Sequence, residues 1–148
     1  MTQDCMITFA KNIQQAYACY CQPLLAKYDL LQMSFDILMF LSTCPDGCTA
    51  KEISDLRCVK TNVISVHVEK LADAGLLKRG TVAGDRRKVM LCCTEKAQPI
   101  IREGQALYKS LYQDMMCGIP EENLCLFKNI LLNINENAIR IRKEAYTV

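Results

Sequence analysis

The stretch that decides the fold is residues 49–96, TAKEISDLRCVKTNVISVHVEKLADAGLLKRGTVAGDRRKVMLCCTEK. Its pattern predicts two helices followed by a two-stranded hairpin, with Asp85, Arg86 and Arg87 at the hairpin tip. Helix-turn-helix proteins place the second helix of such a pair in the DNA major groove, and here a basic loop would lie beside it. The stretch therefore predicts sequence-dependent DNA binding.

The first helix of this stretch has a clear start. Thr49 and Glu52 have the spacing of a capping box, in which each side chain accepts a hydrogen bond from the other residue's backbone amide. The helix that follows is short, and we expect Ile53 and Leu56 to turn inward.

The second helix is predicted to run from Thr61 to Ala74, where Gly75 supplies a left-handed C-terminal cap. Its inner stripe is Ile64, Val68 and Leu71. With a rotation of about 100° per residue, the opposite face of the helix consists of Asn62, Ser65, Val66 and Glu69. Lys70 lies at the edge of this face. Because small and polar side chains approach base edges closely, this face is the predicted DNA contact.

The hairpin is predicted from residues 77–82 and 88–93, joined across residues 83–87, where Gly84 gives the turn its backbone freedom. Thr94 is predicted to cap a long helix that ends near Cys117.

Two further helices are predicted before the hairpin segment. Residues 4–28 have helical spacing, with a kink expected near Pro23. A second helix over residues 34–43 is apolar on most sides, which is typical of a buried central helix. The turn at residues 45–47 ends it.

The last helix starts after Pro120 and carries the most regular apolar pattern of the chain. Apolar residues alternate spacings of three and four along a coiled-coil-like seam: Leu124, Phe127, Leu131, Ile134, Ala138 and Ile141. The seam predicts a homodimer, and packing within one chain is the alternative.

Composition narrows the possible function classes. The chain has a net charge of only +2, yet residues 49–96 hold ten Lys and Arg against six Asp and Glu, so the positive charge gathers in one module. The N-terminus lacks a signal sequence, and the longest apolar run, residues 37–41, is too short to span a bilayer. We therefore expect a cytoplasmic protein whose ten cysteines are mostly reduced thiols.

The chain resembles the MarR (multiple antibiotic resistance) family of winged-helix regulators, most closely over residues 30–94. The recognition-helix pattern is matched by residues 62–71 and 75–79. The wing pattern, Asp-x-Arg before a strand ending in Leu-Thr, is matched by residues 84–87 and 89–94. The resemblance implies a mainly α fold with a small β-hairpin wing. It also implies a winged helix-turn-helix DNA-binding domain over residues 31–94 and a helical dimerisation region over residues 1–30 and 95–148.

The resemblance also implies roles for residues in the wing. Asp85 would order it, and Arg87 would enter the minor groove, where a narrow groove concentrates negative potential. Arg86 and Lys88 are expected at phosphates.

On the recognition helix we expect Asn62 and Ser65 at base edges and Val66 against a thymine methyl group. The DNA backbone is expected to be contacted by Lys60, Thr61 and Lys70. Three positions depart from the family pattern: Val66 stands where many relatives have a basic or polar residue, His67 stands at a usually apolar position, and Cys93 stands where the family usually has leucine. Glu69 would repel phosphates unless it is paired or reads a cytosine amine.

An effector site is the second expectation. Some relatives bind aromatic or lipophilic compounds, and an aromatic and methionine set would line such a cleft: Tyr17, Tyr20, Tyr28, Met33, Phe35, Met39 and Tyr108. Ordinary core packing is the alternative for this set. Other relatives sense peroxides through a thiol near the start of the first helix, which draws attention to Cys5, Cys19 and Cys21. Inert thiols are the alternative there.

The sequence thus predicts a homodimeric DNA-binding regulator, a repressor acting on a pseudo-palindromic operator and released by a ligand or oxidant. The alternative is a winged-helix protein-interaction module without specific DNA binding. Catalysis is not expected, because a catalytic thiol needs a nearby base and the only histidine, His67, lies on the recognition helix. No cofactor and no metal are expected, because the cysteines lack the paired spacing of a zinc site.

Overall fold

A computed structural model gives the fold; it describes residues 3–82 and 85–145, without the side chains of residues 3 and 81–88. The elements follow one another as helices, a hairpin, a single 3-10 turn and two more helices: α1 (Gln3–Tyr28), α2 (Gln32–Leu41), α3 (Ala50–Arg57), α4 (Thr61–Asp73), β1 (Leu77–Val82), β2 (Asp85–Cys93), the turn Glu95–Ala97, α5 (Gln98–Met115) and α6 (Glu121–Ala145). This is the mainly helical fold with a hairpin that the sequence predicted.

The chain divides into two compact units, Met1–Leu111 and Tyr112–Val148. The first unit holds α1 to α4, the hairpin and most of α5. The second unit holds the end of α5 and all of α6.

The core of the first unit is built around α2. Phe35, Ile37 and Leu38 are fully buried, as the apolar sequence of this helix predicted. Gly104 of α5 lies against it so closely that a Cβ atom there would be 2.5 Å from Met39 Sδ and 2.9 Å from Phe35 Cε2. A glycine is therefore required for α5 to approach α2 at this point.

The hairpin is antiparallel, with Leu77 opposite Cys93 and a register shift between Thr81 and Val82. A third segment joins its edge: the amide and carbonyl of Cys48 are hydrogen-bonded to the carbonyl and amide of Leu91, at 3.1 and 2.9 Å. The segment that leads into α3 is thereby fixed to β2, two residues before the helix begins.

Three local predictions need correction. Leu56 is 66% exposed, because the buried face of the two-turn helix α3 is occupied by Ile53 and Ser54. β2 begins at Asp85, three residues before its predicted start. Within the described residues, the Thr94 side chain caps no helix: its hydroxyl donates instead to the carbonyl of Gly75.

The second unit presents α6 almost fully to solvent, and no residue of that helix is buried within the described chain. Leu131, Ile134 and Ile141 of the predicted seam are 44%, 52% and 59% exposed. Such contiguous apolar exposure is typical of a surface that meets another protein.

Across the part of the chain that the structure describes, no helix combines the length and the apolar character needed to cross a membrane.

Candidate nucleic-acid interface

The turn between α3 and α4 is held by hydrogen bonds between side chains and backbone. Ser54 donates from its hydroxyl to the carbonyl of Val59 at 2.6 Å, and the Thr61 hydroxyl donates to Ser54 Oγ at 3.0 Å. Cys58 ends α3 in the left-handed region, at φ 54°. Upstream, the predicted capping box is present, with 2.7 Å and 3.1 Å bonds between Thr49 and Glu52. These contacts fix the angle at which α4 leaves α3.

The two faces of α4 have opposite characters. Ile64, Val68 and Leu71 are buried in the core, as predicted from their spacing. The opposite face is exposed and holds the residues expected to contact DNA: Asn62, Ser65, Val66 and Glu69. Val66 is 55% exposed, so its methyl groups are available to contact a thymine methyl group.

The polar groups of this face are partly engaged within the helix. The Asn62 side-chain oxygen accepts from the amide of Val63 at 3.0 Å, and the Ser65 hydroxyl donates to the carbonyl of Thr61 at 2.9 Å. Asn62 therefore presents its amide nitrogen as a donor, and Ser65 presents an oxygen as an acceptor. Because the Thr61 hydroxyl proton is used inside the turn, Thr61 is better placed to offer a phosphate its backbone amide, at the start of α4.

Glu69 is paired with Arg79. The Arg79 guanidinium on β1 donates to the Glu69 carboxylate at 2.7 Å, and both side chains are about half exposed. The pair neutralises Glu69, the acidic group beside Ser65 and Val66 on the outer face of α4, while Asp73 is exposed at the C-terminal end of that face. The role of Arg79 was not predicted from the sequence, although alternation along β1 from buried Leu77 indicates the face on which Arg79 lies.

The C-terminal end of α4 is held by residues that follow the hairpin. Lys96 donates to the carbonyl of Ala74 at 2.7 Å, and Thr94 donates to the carbonyl of Gly75 at 2.7 Å. Gly75 has φ +71°, the left-handed conformation predicted for it. A lysine at this end also pairs favourably with the negative end of the helix dipole.

His67 is half-buried on the side of α4 that faces α2. Its Nδ1 is 2.9 Å from the Ser34 hydroxyl. Burial lowers the pKa of His67, and the positive charge of Lys70 lowers it further. This environment favours the neutral imidazole. The exposed cations of α4 and its N-cap are then Lys70 and Lys60.

The predicted wing residues are placed only by their backbone. Asp85, Arg86, Arg87 and Lys88 belong to β2, and Val82 lies opposite Asp85. Their side chains, and Ala83 and Gly84, lie outside the described residues. The wing contacts therefore stay a prediction.

The residues predicted for an effector cleft form a polar and aromatic cluster in the first unit. The Tyr17 hydroxyl donates to Asp36 and is 3.1 Å from the Tyr108 hydroxyl, while Gln32 also donates to Asp36. Burial and these hydrogen bonds raise the pKa of Tyr17, and burial also raises that of Tyr108.

The apolar members of the same set are packed. Phe35 and Met39 are buried against Gly104, and the Phe35 ring meets Tyr108 edge to face at 6.1 Å. Tyr20 is half-buried on α1. The structure thus brings Tyr17, Phe35 and Tyr108 together, with the two hydroxyls as the accessible polar groups.

The thiols singled out in α1 have different surroundings. Cys5 and Cys19 are exposed, and Cys21 is fully buried in the core. Within the described residues, no group of three or more His, Cys, Asp or Glu side chains is arranged to hold a metal ion.

Comparison with known proteins adds a family and three solved structures. A MarR family model matches residues 28–88, which include α2 to α4, β1 and the first residues of β2. A transcriptional regulator, PA3341, is 26% identical, with a TM-score of 0.80 over 91% of this chain and 98% of that one. A MarR transcriptional regulator from Methanosarcina mazei Go1 is 18% identical, with a TM-score of 0.83 over 94% of this chain and 99% of that one.

A third structure is CouR from Rhodococcus jostii RHA1, which was solved bound to p-coumaroyl-CoA. It is 18% identical, with a TM-score of 0.72 over 87% of each chain. The two structures at 18% identity show that the fold is shared. The MarR family model covers the helix pair, β1 and the start of β2, and the matched structures extend over nearly the whole chain, so residues 28–88 resemble the winged-helix region of MarR regulators within a fold that those structures share.

Proposed function

We propose that the protein is a homodimeric, DNA-binding repressor of the cytoplasm that acts on a pseudo-palindromic operator and is released by a small effector or an oxidant. Each α4 would enter one of two successive major grooves, about one helical turn of DNA apart. Arg87 of the wing would enter the adjacent minor groove, and Arg86 would contact phosphates.

The observation that carries the proposal is the outer face of α4. Its side chains are exposed and mostly short, and the negative charge of Glu69 is neutralised by Arg79. An unpaired Glu69 would repel DNA phosphates and would favour the alternative function, a winged helix that binds proteins instead of DNA. Its pairing with Arg79 weakens that objection, because the charge of Glu69 is then offset beside Asn62 and Ser65.

The second protomer is supported by α6. The exposed seam has the coiled-coil spacing predicted from the sequence, and its apolar residues contact water in a single chain. An apolar groove along the second unit, about 850 Å³ in volume and lined by Tyr112, Leu124, Phe127 and Leu131 among others, extends this surface. A second copy of the chain would cover it.

The effector is proposed to contact the hydroxyls of Tyr17 and Tyr108. The space between Phe35 and Met39 is filled by the close approach of α5 at Gly104, so an aromatic compound would lie beside these side chains instead of between them. An acidic ligand would compete with Asp36 for the Tyr17 proton. Both copies of α4 must contact their half-sites at the same time. A change of a few ångströms in the distance between the two helices would therefore release the DNA.

The test is fluorescence anisotropy with DNA from the gene's own upstream region, across a salt series and under reducing conditions. A specific regulator binds this DNA tightly, and its affinity falls as salt rises because phosphate contacts release counterions. Random DNA of equal length is the control. Equal affinity for both DNAs together with a flat salt dependence would establish the protein-interaction alternative.

A further inference from the structure

The outer face of α4 presents three chemically different groups at neighbouring positions. Ser65 and Val66 follow one another in the chain, and Asn62 lies about one turn before both. Consecutive residues of an α-helix differ by about 100° in direction and by about 1.5 Å along the axis, so Ser65 and Val66 lie side by side at nearly the same height. Two side chains in this arrangement can contact the two bases of a single pair.

The hydrogen bond of Ser65 decides what its oxygen offers to DNA. The hydroxyl donates to the carbonyl of Thr61 at 2.9 Å, so its proton is used inside the helix, and the lone pairs of Oγ remain for an outside donor. Ser65 is exposed, and it lines a small hollow of about 120 Å³ together with Glu69 and Arg79. Ser65 is therefore an acceptor towards DNA. The donors that bases present in the major groove are the amines of adenine and cytosine.

Asn62 offers the opposite group. Its Oδ1 accepts from the amide of Val63 at 3.0 Å, which leaves the two N–H groups of Nδ2 for DNA. The bidentate pairing of asparagine with adenine needs Oδ1 as an acceptor and Nδ2 as a donor at the same time. Because Oδ1 is turned back to the helix backbone, Asn62 offers only a donor, which the N7 atoms of both purines accept alike. The adenine amine is therefore left to Ser65.

Val66 supplies the apolar group of this face, and its side chain is 55% exposed. Thymine is the base that carries a methyl group in the major groove, so contact between that methyl group and Val66 removes apolar surface of both partners from water. Glu69 could otherwise accept from a cytosine amine, but its carboxylate is bound to Arg79 at 2.7 Å.

An acceptor next to an apolar side chain matches one kind of base pair. A T·A pair presents the adenine amine and the thymine methyl group on the same major-groove edge, whereas a C·G pair presents an amine without the methyl group. We infer that each copy of α4 identifies a T·A base pair in its half-site, with Val66 on the thymine methyl group and Ser65 Oγ accepting from the adenine amine. The inference rests on the proposed DNA binding, and it adds the base pair that is read and the direction of the hydrogen bond.

The test removes single groups from the DNA. The wild-type protein would first select its site from a pool of random-sequence duplexes. Each thymine of the selected site would then be replaced in turn by 2′-deoxyuridine, which lacks only the methyl group, and affinity would be measured by fluorescence anisotropy. We expect a several-fold loss of affinity at one thymine position in each half-site.

Two valine variants assign that loss to its side chain. Val66→Ala should bind thymine and deoxyuridine at that position equally, because the partner of the methyl group is gone. Val63→Ala shortens a valine of the same helix that is 39% exposed and lies outside the outer face. This control should keep the full preference for thymine, whatever its overall affinity.

The adenine amine is tested in the same way. Replacement of the paired adenine by 2′-deoxynebularine removes the amine, so it should weaken binding by the wild type several-fold. Ser65→Ala has no acceptor at this position, so it should bind both duplexes equally.

The outcomes separate this inference from the proposed function. A selection that enriches no sequence would overturn the proposed DNA recognition and the inference with it. A selected site at which deoxyuridine nowhere weakens binding would overturn the inference alone. The same holds for a Val66→Ala protein that still prefers thymine, and for a Ser65→Ala protein that still distinguishes adenine from nebularine.

Discussion

Arg79 on β1 and Glu69 on α4 form an ion pair of 2.7 Å that joins the hairpin to the outer face of the recognition helix. The two side chains are 45% and 61% exposed, so the pair contributes at most about 1 kcal/mol to folding stability. Its importance lies in the charge that it removes from the surface expected to meet DNA.

Replacement of Arg79 tests this role. Arg79→Ala leaves Glu69 unpaired, so operator affinity should fall several-fold while the melting temperature changes little. Glu69→Gln in the Arg79→Ala background should recover part of the loss, as measured by anisotropy. If the double variant binds no better than Arg79→Ala, the arginine acts on DNA directly and the neutralising role is refuted.

The wing provides a second test, through Arg87→Ala. An arginine lost from the minor groove should reduce operator affinity roughly tenfold or more, on the order of 1–3 kcal/mol, without dissociating the dimer. Lys109→Ala, which removes an equal charge from the exposed surface of α5, is the control. Operator binding as tight as that of the wild type would show that the wing assignment is wrong.

The homodimer depends on the α6 seam. Ile134→Asp places a charge in the seam and should shift the protein to monomer in light scattering after size-exclusion chromatography. Asn129→Asp adds the same charge to an exposed position away from the seam and should leave the dimer intact. A dimeric Ile134→Asp protein would locate the dimer contact elsewhere.

Gly104 sets the spacing between α5 and α2. Gly104→Ala would place a methyl group against Met39 and the rigid Phe35 ring, and overpacking of this kind typically costs about 1–3 kcal/mol. The higher helix propensity of alanine offsets about 1 kcal/mol of that cost. Urea denaturation should therefore show a net loss of stability. Gly80→Ala, whose Cβ would meet no described atom within 4 Å, should change stability little.

His67 should make stability depend on pH. Its pKa is lowered in the folded protein by burial and by Lys70, from an ordinary value of 6.5. Below that value the unfolded chain gains a proton that the folded protein does not readily accept, so stability is lost as pH falls. Urea denaturation from about pH 8 to about pH 5 should show a smaller loss for His67→Gln than for the wild type. Identical curves would contradict this role.

The sequence predicted best those elements whose signals are local. The capping box at Thr49 and Glu52, the left-handed cap at Gly75 and the bounds of β1 each depend on residues only a few positions apart. The predicted inward orientation of Leu56 was wrong, because a helix of two turns has too few residues to show from the sequence which side is buried.

The candidate site was predictable only in part for the same reason. The outer face of α4 follows from helical rotation alone. The partner of Glu69 is ten residues away, on a strand of the hairpin. Contacts of this kind depend on how elements pack together, which the spacing of residues along the chain does not encode.

The anchoring of α4 by Thr94 and Lys96 has a consequence for how the protein is made. The two anchors lie 19 and 22 residues beyond the carbonyl groups that they hold. While the chain is being synthesised, α4 emerges from the ribosome well before the residues that hold its C-terminal end. A nascent chain that stops at the hairpin would carry the complete recognition sequence without these anchors, so competence to read DNA would come only after the hairpin has closed.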